Sequence, residues 1–462
     1  MRASMSLADF DPALIKRYDV PGPRYTSYPT ALQFGEFEVA DFDKAIADSP
    51  YRDRDLSVYV HIPFCATLCY YCACNKIVGK KREPAAEYMT LLEREIEMLA
   101  PRFEGRQVSQ LHWGGGTPTF LDDEQVTALN GWLRQAFSFS DDEAGEFSIE
   151  IDPRTVNADR IRHLRHEGFN RLSFGVQDFE SAVQKAVNRV QSLDETRDVI
   201  DAARQAGFGS ISVDLIYGLP HQTYETFSNT LKLISDLRPD RISIYNYAHL
   251  PDRFSPQKRI LATDLPNPDE KLRILELCID FLTDAGYVYI GMDHFALPED
   301  ELAVALKEGT LQRNFQGYST YSDCDLLAMG VTGISHIGNS YSQNEKDLAS
   351  YGARIQQGEL PLLQGVVIDD DDLLRKAIIK SLMCHFNLDG AALEKQFGID
   401  FRKYFTEELD RLAAFEADGL LKIDGTNIDV TPQGRFLVRN ICMVFDRYLR
   451  KPESKDRFSR AI

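Results

Sequence analysis

The stretch 56-LSVYVHIPFCATLCYYCACNKI-77 joins a run that reads as a buried strand to four closely spaced cysteines, Cys65, Cys69, Cys72 and Cys74. Val58, Val60 and Ile62 alternate with more polar neighbours, and Pro63 ends the run, the pattern of a strand closed by a turn. The cysteines therefore sit on the loop at the strand's C-terminal end. Parallel α/β sheets carry their ligand-binding groups at that end, so the stretch predicts a sheet of this type with a thiol-rich site at its mouth.

The sequence on either side extends the pattern. Further strands are predicted at 108–113 (VSQLHW), 147–151 (FSIEI), 171–176 (RLSFGV), 210–216 (SISVDLI) and 241–247 (RISIYNY), with helical periodicity between them. From 86 to 100, Met89, Leu92, Ile96 and Leu99 form one apolar stripe between Pro84 and Pro101. Six such units make an open twisted sheet or a partial barrel. A second stripe (Leu272, Leu275, Ile279, Leu282) leads into VYIGMDHFA at 288–296, a seventh β element. After about residue 360 helical patterns follow one another, and the turn Asp424-Gly425 separates LLKI from NIDV in a winged-helix-like arrangement. Residues 1–54, Pro- and Tyr-rich with little helical period, read as an arm wrapping a 55–360 body, and 361–462 as a C-terminal domain that packs on it or lids it.

Composition excludes several classes of function. The 462-residue chain is 44% hydrophobic and carries 71 acidic against 52 basic side chains, a net charge of −19. Such a field repels polyanions, and residues 388–430 hold 10 acidic and 5 basic residues, so no nucleic-acid partner is expected of the winged-helix-like part. No run is long and apolar enough for a membrane span, and Met1–Phe10 lacks the apolar core of a secretory signal; a cytoplasmic, monomeric protein is expected. Eight cysteines are too few for a disulfide scaffold in a chain of this length.

The C-x3-C-x2-C-x-C run calls for a metal group. Zinc sites usually draw on two separated ligand pairs, whereas compact cysteine runs suit an iron-sulfur cluster. If three thiolates bind a four-iron cube, the fourth iron is open to a small molecule; if Cys74 closes the cube, the protein is an electron carrier. Spacing leaves both readings open. Gly114–Gly116 in HWGGGTPT permit close approach of backbone N–H groups to a ligand, and the absence of a Gly-Lys-Ser/Thr ending argues against a phosphate-binding loop.

The three-cysteine run after a strand resembles that of radical S-adenosylmethionine enzymes. Within that superfamily the chain is most similar to the oxygen-independent coproporphyrinogen III oxidase family, through RYTSYPTA, YVHIPFC, CNKI, QLHWGGGTPT, EIDP, GFNRLSFGVQDF, DLIYGLP, YNYAHLP, GMDHFA, NFQGY, AMGVTGIS and RNICMVFDRYL. Cys74 is the most discriminating element, because related haem-chaperone proteins typically carry an aromatic residue there. The resemblance implies a partial (β/α)6-type parallel barrel of radical SAM type with an N-terminal arm and a mainly helical, winged-helix-like C-terminal domain. It implies one [4Fe-4S] cluster on Cys65, Cys69 and Cys72, and two molecules of S-adenosyl-L-methionine. The first would be contacted by Tyr59, Gly115, Glu150, Ala248 and Ile334, the second by Tyr71, Cys74, Gly116, Thr117, Gln177, Arg189 and Asp214. The implied reaction is anaerobic: a 5′-deoxyadenosyl radical takes hydrogen from the β-carbon of a propionate of coproporphyrinogen III, and loss of carbon dioxide and an electron leaves a vinyl group. Two such events give protoporphyrinogen IX for haem biosynthesis, with an electron donor and an electron acceptor as further partners. The rival reading is a haem-binding chaperone on the same scaffold.

Other residues read more plainly. Without the resemblance, Arg189 would be a surface ion-pair residue and Cys278 a small buried hydrophobe. No role is assigned to Cys324. His61 is a candidate for tuning the cluster by hydrogen bonding, and His112 and His294 read as structural. Lys16, Arg24 and Arg313 are candidate cations for the substrate's propionates.

Overall fold

The computed structural model describes residues 11–141, 143–321, 324–450, 458 and 460. The first ten residues, with their missing signal core, lie outside the described residues. Strands β1 (Leu56–Ile62), β2 (Gln107–Gly115), β3 (Glu146–Ile151), β4 (Arg171–Gln177), β5 (Ser210–Tyr217) and β6 (Arg241–Asn246) form where the alternation predicts them. Each pairs in parallel with the next in chain order. Along β4, Leu172, Phe174 and Val176 are buried under the outer helices, whereas Arg171, Ser173, Gly175 and Gln177 are half-buried on the inner face. This two-residue period aims polar groups into the interior and apolar ones at the helices. Helix α3 (Glu83–Leu99) buries the expected stripe together with Tyr88 and Glu95, and α4 (Pro268–Asp284) buries Leu272, Ile279 and Leu282.

The barrel is partial because β1 takes another neighbour. Its second edge pairs in parallel with β9 (Asp325–Met329), and the sheet continues antiparallel through β10 (Ile334–Ile337), β11 (Ser340–Asn344) and β12 (Leu362–Val367). The sheet thus runs past residue 360, where the helical character begins in the sequence. The β element at 288–296 is a hairpin, β7 (Val288–Gly291) and β8 (His294–Ala296), that closes the other edge antiparallel to β6.

The arm differs from its expectation in carrying two helices. In α1 (Pro12–Tyr18) the Asp11 side chain accepts from Ala13 N at 2.8 Å and Leu14 N at 3.2 Å, and α2 (Val39–Ala47) starts with a capping box of Glu38 and Asp41. Both are too short for periodicity to reveal; capping and tertiary packing stabilise them. Beyond β12, helix α5 (Asp370–His385) opens the C-terminal region. There β13 (Asn387–Leu388), β14 (Leu421–Asp424) and β15 (Asn427–Val430) make the small wing sheet, with Gly425 at φ +63° in its turn. Arm and C-terminal helix α6 (Val438–Phe445) interlock: Arg439, 3% exposed, donates from Nε to Pro23 O at 2.7 Å and also to Gly22 O, and Tyr25 Oη donates to Asp446 at 3.0 Å.

Candidate active site

The cysteine loop is pinned at both ends. Phe64–Cys65 pairs with Ile77–Val78, Ile77 N donates to Pro63 O at 2.6 Å and Gly79 N to Cys65 O at 3.0 Å. Between these ties, Tyr70 N donates to Val187 O at 3.0 Å, Asn188 Nδ2 to Leu68 O at 2.8 Å and Gln257 Nε2 to Tyr71 O at 3.0 Å. Lys76 Nζ reaches the carbonyls of Cys72 (3.0 Å) and Cys74 (3.3 Å). Neighbouring elements, more than the loop's own structure, fix where the thiols stand.

Beside it runs the glycine turn after β2. Gly116 N donates to Ile62 O and Thr117 N to Phe64 O, each at 2.8 Å. A Cβ on Gly116 would meet Phe64 O at 2.8 Å, and Gly115, at φ +112°, lies against the His61 ring. Neither position admits a side chain, so the backbone closes directly on the cysteine loop.

A cavity of about 310 Å³ opens between these segments and the inner face of the barrel. Of the residues singled out in the sequence, Cys65, Cys69, Cys72, Tyr71, Cys74, Gly115, Gly116, Thr117, Glu150, Gln177, Arg189 and Asp214 line it. Tyr59, Ala248 and Ile334 do not. Tyr59 stands one step back: its hydroxyl donates to His61 Nδ1 at 3.0 Å, His61 Nε2 donates to Asn75 O at 3.1 Å, and its ring stacks on His112 at 5.8 Å. Ala248 follows β6, and Ile334 opens β10 opposite Gln343.

The thiols have distinct surroundings. Burial pushes Cys65 up to about 11, against the pull of the Thr117 hydroxyl 3.5 Å away. Cys69 Sγ lies 3.6 Å from Arg189 NH1 and 4.0 Å from Arg154 NH2. The Cys74 thiol donates to Cys72 and, with Lys76, holds Cys72 low while Cys74 itself is raised. The buried Cys65 thiol thus resists ionisation until a metal takes it, whereas Cys72 is set to ionise. Among the described residues no group of three or more His, Cys, Asp or Glu converges tightly enough for a single metal ion. Thiols spread around a cavity suit a multi-iron cube instead, whose ligand corners stand apart.

Arg189 departs most from its sequence reading. It is 7% exposed, donates from NH1 to Asp152 Oδ2 at 3.1 Å and from NH2 to Gly175 O, and its Nε, buried at the cavity, has no partner. Although burial alone would lower it, Tyr71, Asp152 and Cys69 keep the guanidinium firmly charged. Asp152 also takes Arg154 bidentately, at 2.9 and 2.6 Å. Deeper in, Glu150 accepts from Gly115 N at 3.1 Å; burial would raise it, but His112 and that N–H hold it below the usual carboxylate range. Burial and the Glu150 charge push Asp214 up to about 6. Gln177 sits at φ +71°, a conformation that costs a non-glycine residue energy and concentrates at ligand sites. Sequence reasoning missed Asp152, Arg154, Lys76, Ser173 and Tyr245. Their signal lay in position, since EIDPR and CNKI directly follow a strand and the cysteines, and Ser173 and Tyr245 share the inner-facing parity of their strands.

A three-cysteine loop against a glycine-rich strand end, inside a partial parallel barrel, defines the radical S-adenosylmethionine class. The Radical SAM superfamily profile matches residues 59–234 and the HemN C-terminal domain profile residues 368–437. Curated relatives named oxygen-independent coproporphyrinogen III oxidase align nearly end to end. The protein of Escherichia coli (strain K12) is 52% identical over 99% of this chain and 100% of its own, and that of Helicobacter pylori (strain J99) 41% identical over 99% and 100%. A solved structure described as "Coproporphyrinogen III oxidase (HemN) from Escherichia coli is a Radical SAM enzyme" superposes with a TM-score of 0.92 at 51% identity, covering 96% of this chain and all of that one. This chain belongs to the oxygen-independent coproporphyrinogen III oxidase family. The chaperone reading finds no support in these relatives.

Proposed function

We propose that this protein converts two propionate side chains of coproporphyrinogen III to vinyl groups without oxygen, yielding protoporphyrinogen IX in haem biosynthesis. The observation that carries the reading is the cavity in which the cysteine loop, the glycine turn and the Asp152–Arg189 pair meet, on a chain that matches the family nearly end to end. A [4Fe-4S] cluster and S-adenosyl-L-methionine belong to this class, and together they supply a 5′-deoxyadenosyl radical that takes hydrogen from the propionate's β-carbon.

In this reading Cys65, Cys69 and Cys72 hold the cluster and Cys74 stays outside it. The charged Arg189, with Nε unpaired, receives a carboxylate of the methionine moiety. Glu150, held ionised by His112 and Gly115, and Asp214 accept hydrogen bonds from ammonium or ribose hydroxyl groups. Two nucleotide molecules share the site. Tyr71, Cys74, Gly116, Thr117, Gln177, Arg189 and Asp214 serve the second, and Tyr59, Gly115, Glu150, Ala248 and Ile334 the first. The arm takes residues 1–54, the catalytic body runs from 55 to the end of β12 at 367 rather than to 360, and the C-terminal domain takes the rest. An electron donor and acceptor act on a monomer in the cytoplasm. No helix among the described residues is long and apolar enough to cross a membrane.

The test is an anaerobic assay of reconstituted protein with S-adenosylmethionine, reductant and coproporphyrinogen III. Protoporphyrinogen is expected to form together with 5′-deoxyadenosine. Deoxyadenosine without porphyrin conversion rejects the substrate, and neither product from an intact cluster rejects the reading.

A further inference from the structure

A second pocket lies on the inner face of the same sheet, on its β9–β11 wing. It encloses about 120 Å³ between the arm, the strands, α5 and the hairpin Gln312–Ser319. Its basic groups come from separate elements. Lys376 and Lys380 are one turn apart on α5, Arg313 reaches in from the hairpin and His336 from β10. Lys376 Nζ donates to His336 Nε2 at 2.6 Å and lies 5.0 Å from the centre of the Tyr341 ring. Arg313 packs its guanidinium 4.7 Å from the Tyr318 ring centre, and its Nε and NH1 are buried with no partner.

Among the described residues no carboxylate lines this pocket. Nearby acids are engaged elsewhere: Asp325 is taken by Arg106 at 2.7 Å and Ser49 at 2.8 Å, and Asp372 by Arg447 and Tyr448, each at 2.9 Å. Burial and Lys380 pull Lys376 down to about 7. These cations are half-buried, and the one carboxylate that acts on Lys376, Asp325, is already shared with Arg106; such crowding is costly, and an anion relieves it. Tyr25, Tyr28, Phe315 and Tyr341 supply aromatic walls.

We propose that Arg313, Lys376 and Lys380 form a carboxylate site that takes a propionate which the reaction leaves intact. This rests on the substrate reading above. Ser57, at the foot of β1, lines the pocket, while Gly115, in register with Ile62 at the top of β1, lines the cysteine cavity. Five strand residues separate them by about 17 Å, a span that a tetrapyrrole with extended side chains bridges. One propionate can then be held at the wing while another reaches the reactive end. Of the three cations suggested by the sequence, only Arg313 lines this pocket; Lys16 pairs with Asp269 at 2.6 Å on the exterior and Arg24 with Asp293 at 2.6 Å.

The test titrates the full-length protein with oxidised coproporphyrin III, followed by porphyrin absorbance and fluorescence. In Lys376→Gln and Arg313→Gln the Kd is expected to rise about tenfold to a hundredfold, as for lost charge-assisted hydrogen bonds, with Lys376→Arg restoring binding. Far-UV circular dichroism and iron content should stay as in the parent. If Lys376→Gln fails to fold, Arg313→Gln on the hairpin carries the test. Protoporphyrin IX, which keeps only the unreacted propionates, should be weakened by the same factor; weakening of coproporphyrin alone assigns the pocket to a reacting propionate and overturns the proposal. Unchanged affinity in every variant overturns it too, as does binding of free propionate that fails to compete with coproporphyrin. If the parent protein binds no coproporphyrin but converts coproporphyrinogen III, the KM of the same variants replaces the Kd; if it does neither, the substrate reading itself falls, and this proposal with it.

Discussion

Two buried polar clusters, built from similar chemistry, differ in one respect. Under α3, Glu95 is 1% exposed and accepts from Tyr351 Oη at 2.6 Å, Gly330 N at 2.7 Å and Asn344 Nδ2 at 2.7 Å. Every contact is internal, and the knot ties α3 to the antiparallel wing. At the barrel mouth, Arg189 is buried and paired too, yet its Nε is left without a partner beside a cavity. Burial of an ionisable group therefore does not mark a functional site; unspent bonding capacity beside a cavity does so here.

The largest expected effect sharpens that contrast at the thiols. Cys72→Ser should abolish iron binding and activity in reconstituted protein, whereas Cys74→Ser should retain its iron while activity falls; iron analysis alongside the anaerobic assay reads both. Equal iron loss would put Cys74 among the ligands. Glu95→Ala should cost on the order of 3 kcal/mol in urea unfolding, because three buried donors lose their acceptor, with no change in iron content.

The Glu95 knot also has a pH signature. Burial raises its carboxyl from 4.5 to about 7, so the folded protein holds the proton at pH values where the unfolded chain has released it. That contribution is full below about 4.5 and is lost as pH rises towards 7. Glu95→Gln should flatten this part of the stability profile relative to the parent, measured by thermal melts across that range. Arg189→Met is the counterpart. Asp152 keeps Arg154 and so is not left uncompensated; the loss is that of hydrogen bonds and stability should fall by only about 1 kcal/mol, while calorimetry should show weakened binding of S-adenosylmethionine to the reconstituted protein. A stability loss as large as that of Glu95→Ala would make Arg189 structural and erase the distinction. Smallest of all, Lys16→Ala breaks an exposed pair and should alter stability by less than about 0.5 kcal/mol.

The same contrast explains what was legible in the sequence. The strands and the cysteine loop declare themselves through period and spacing, which are local properties. Arg189 does not: its burial depends on Asp152, just past the end of β3, and Gly175 in β4, brought together only by the parallel register. The arm helices carry too few residues to show a stripe, and β12 looks like the start of a helical region because its pairing partner is β11. For the site, twelve of the fifteen residues singled out line one cavity, and the other three, Tyr59, Ala248 and Ile334, lie outside that lining. Arg154 and Lys76 went unnoticed because a basic residue beside a motif looks the same whether it faces solvent or a thiol.

The clasp of Arg439 on Gly22 and Pro23 has a consequence for the order of synthesis. The two partners are 417 residues apart, so at ribosomal speed the arm waits about 20 to 80 s for its anchor to be made. Tyr25 and Tyr28, which wall the cationic pocket, depend on that same late-arriving segment through Asp446 and Arg447. The nascent chain can thus assemble its barrel and cysteine loop well before that wall is complete, and a chain truncated before α6 would keep the radical-forming end without a finished chamber around it.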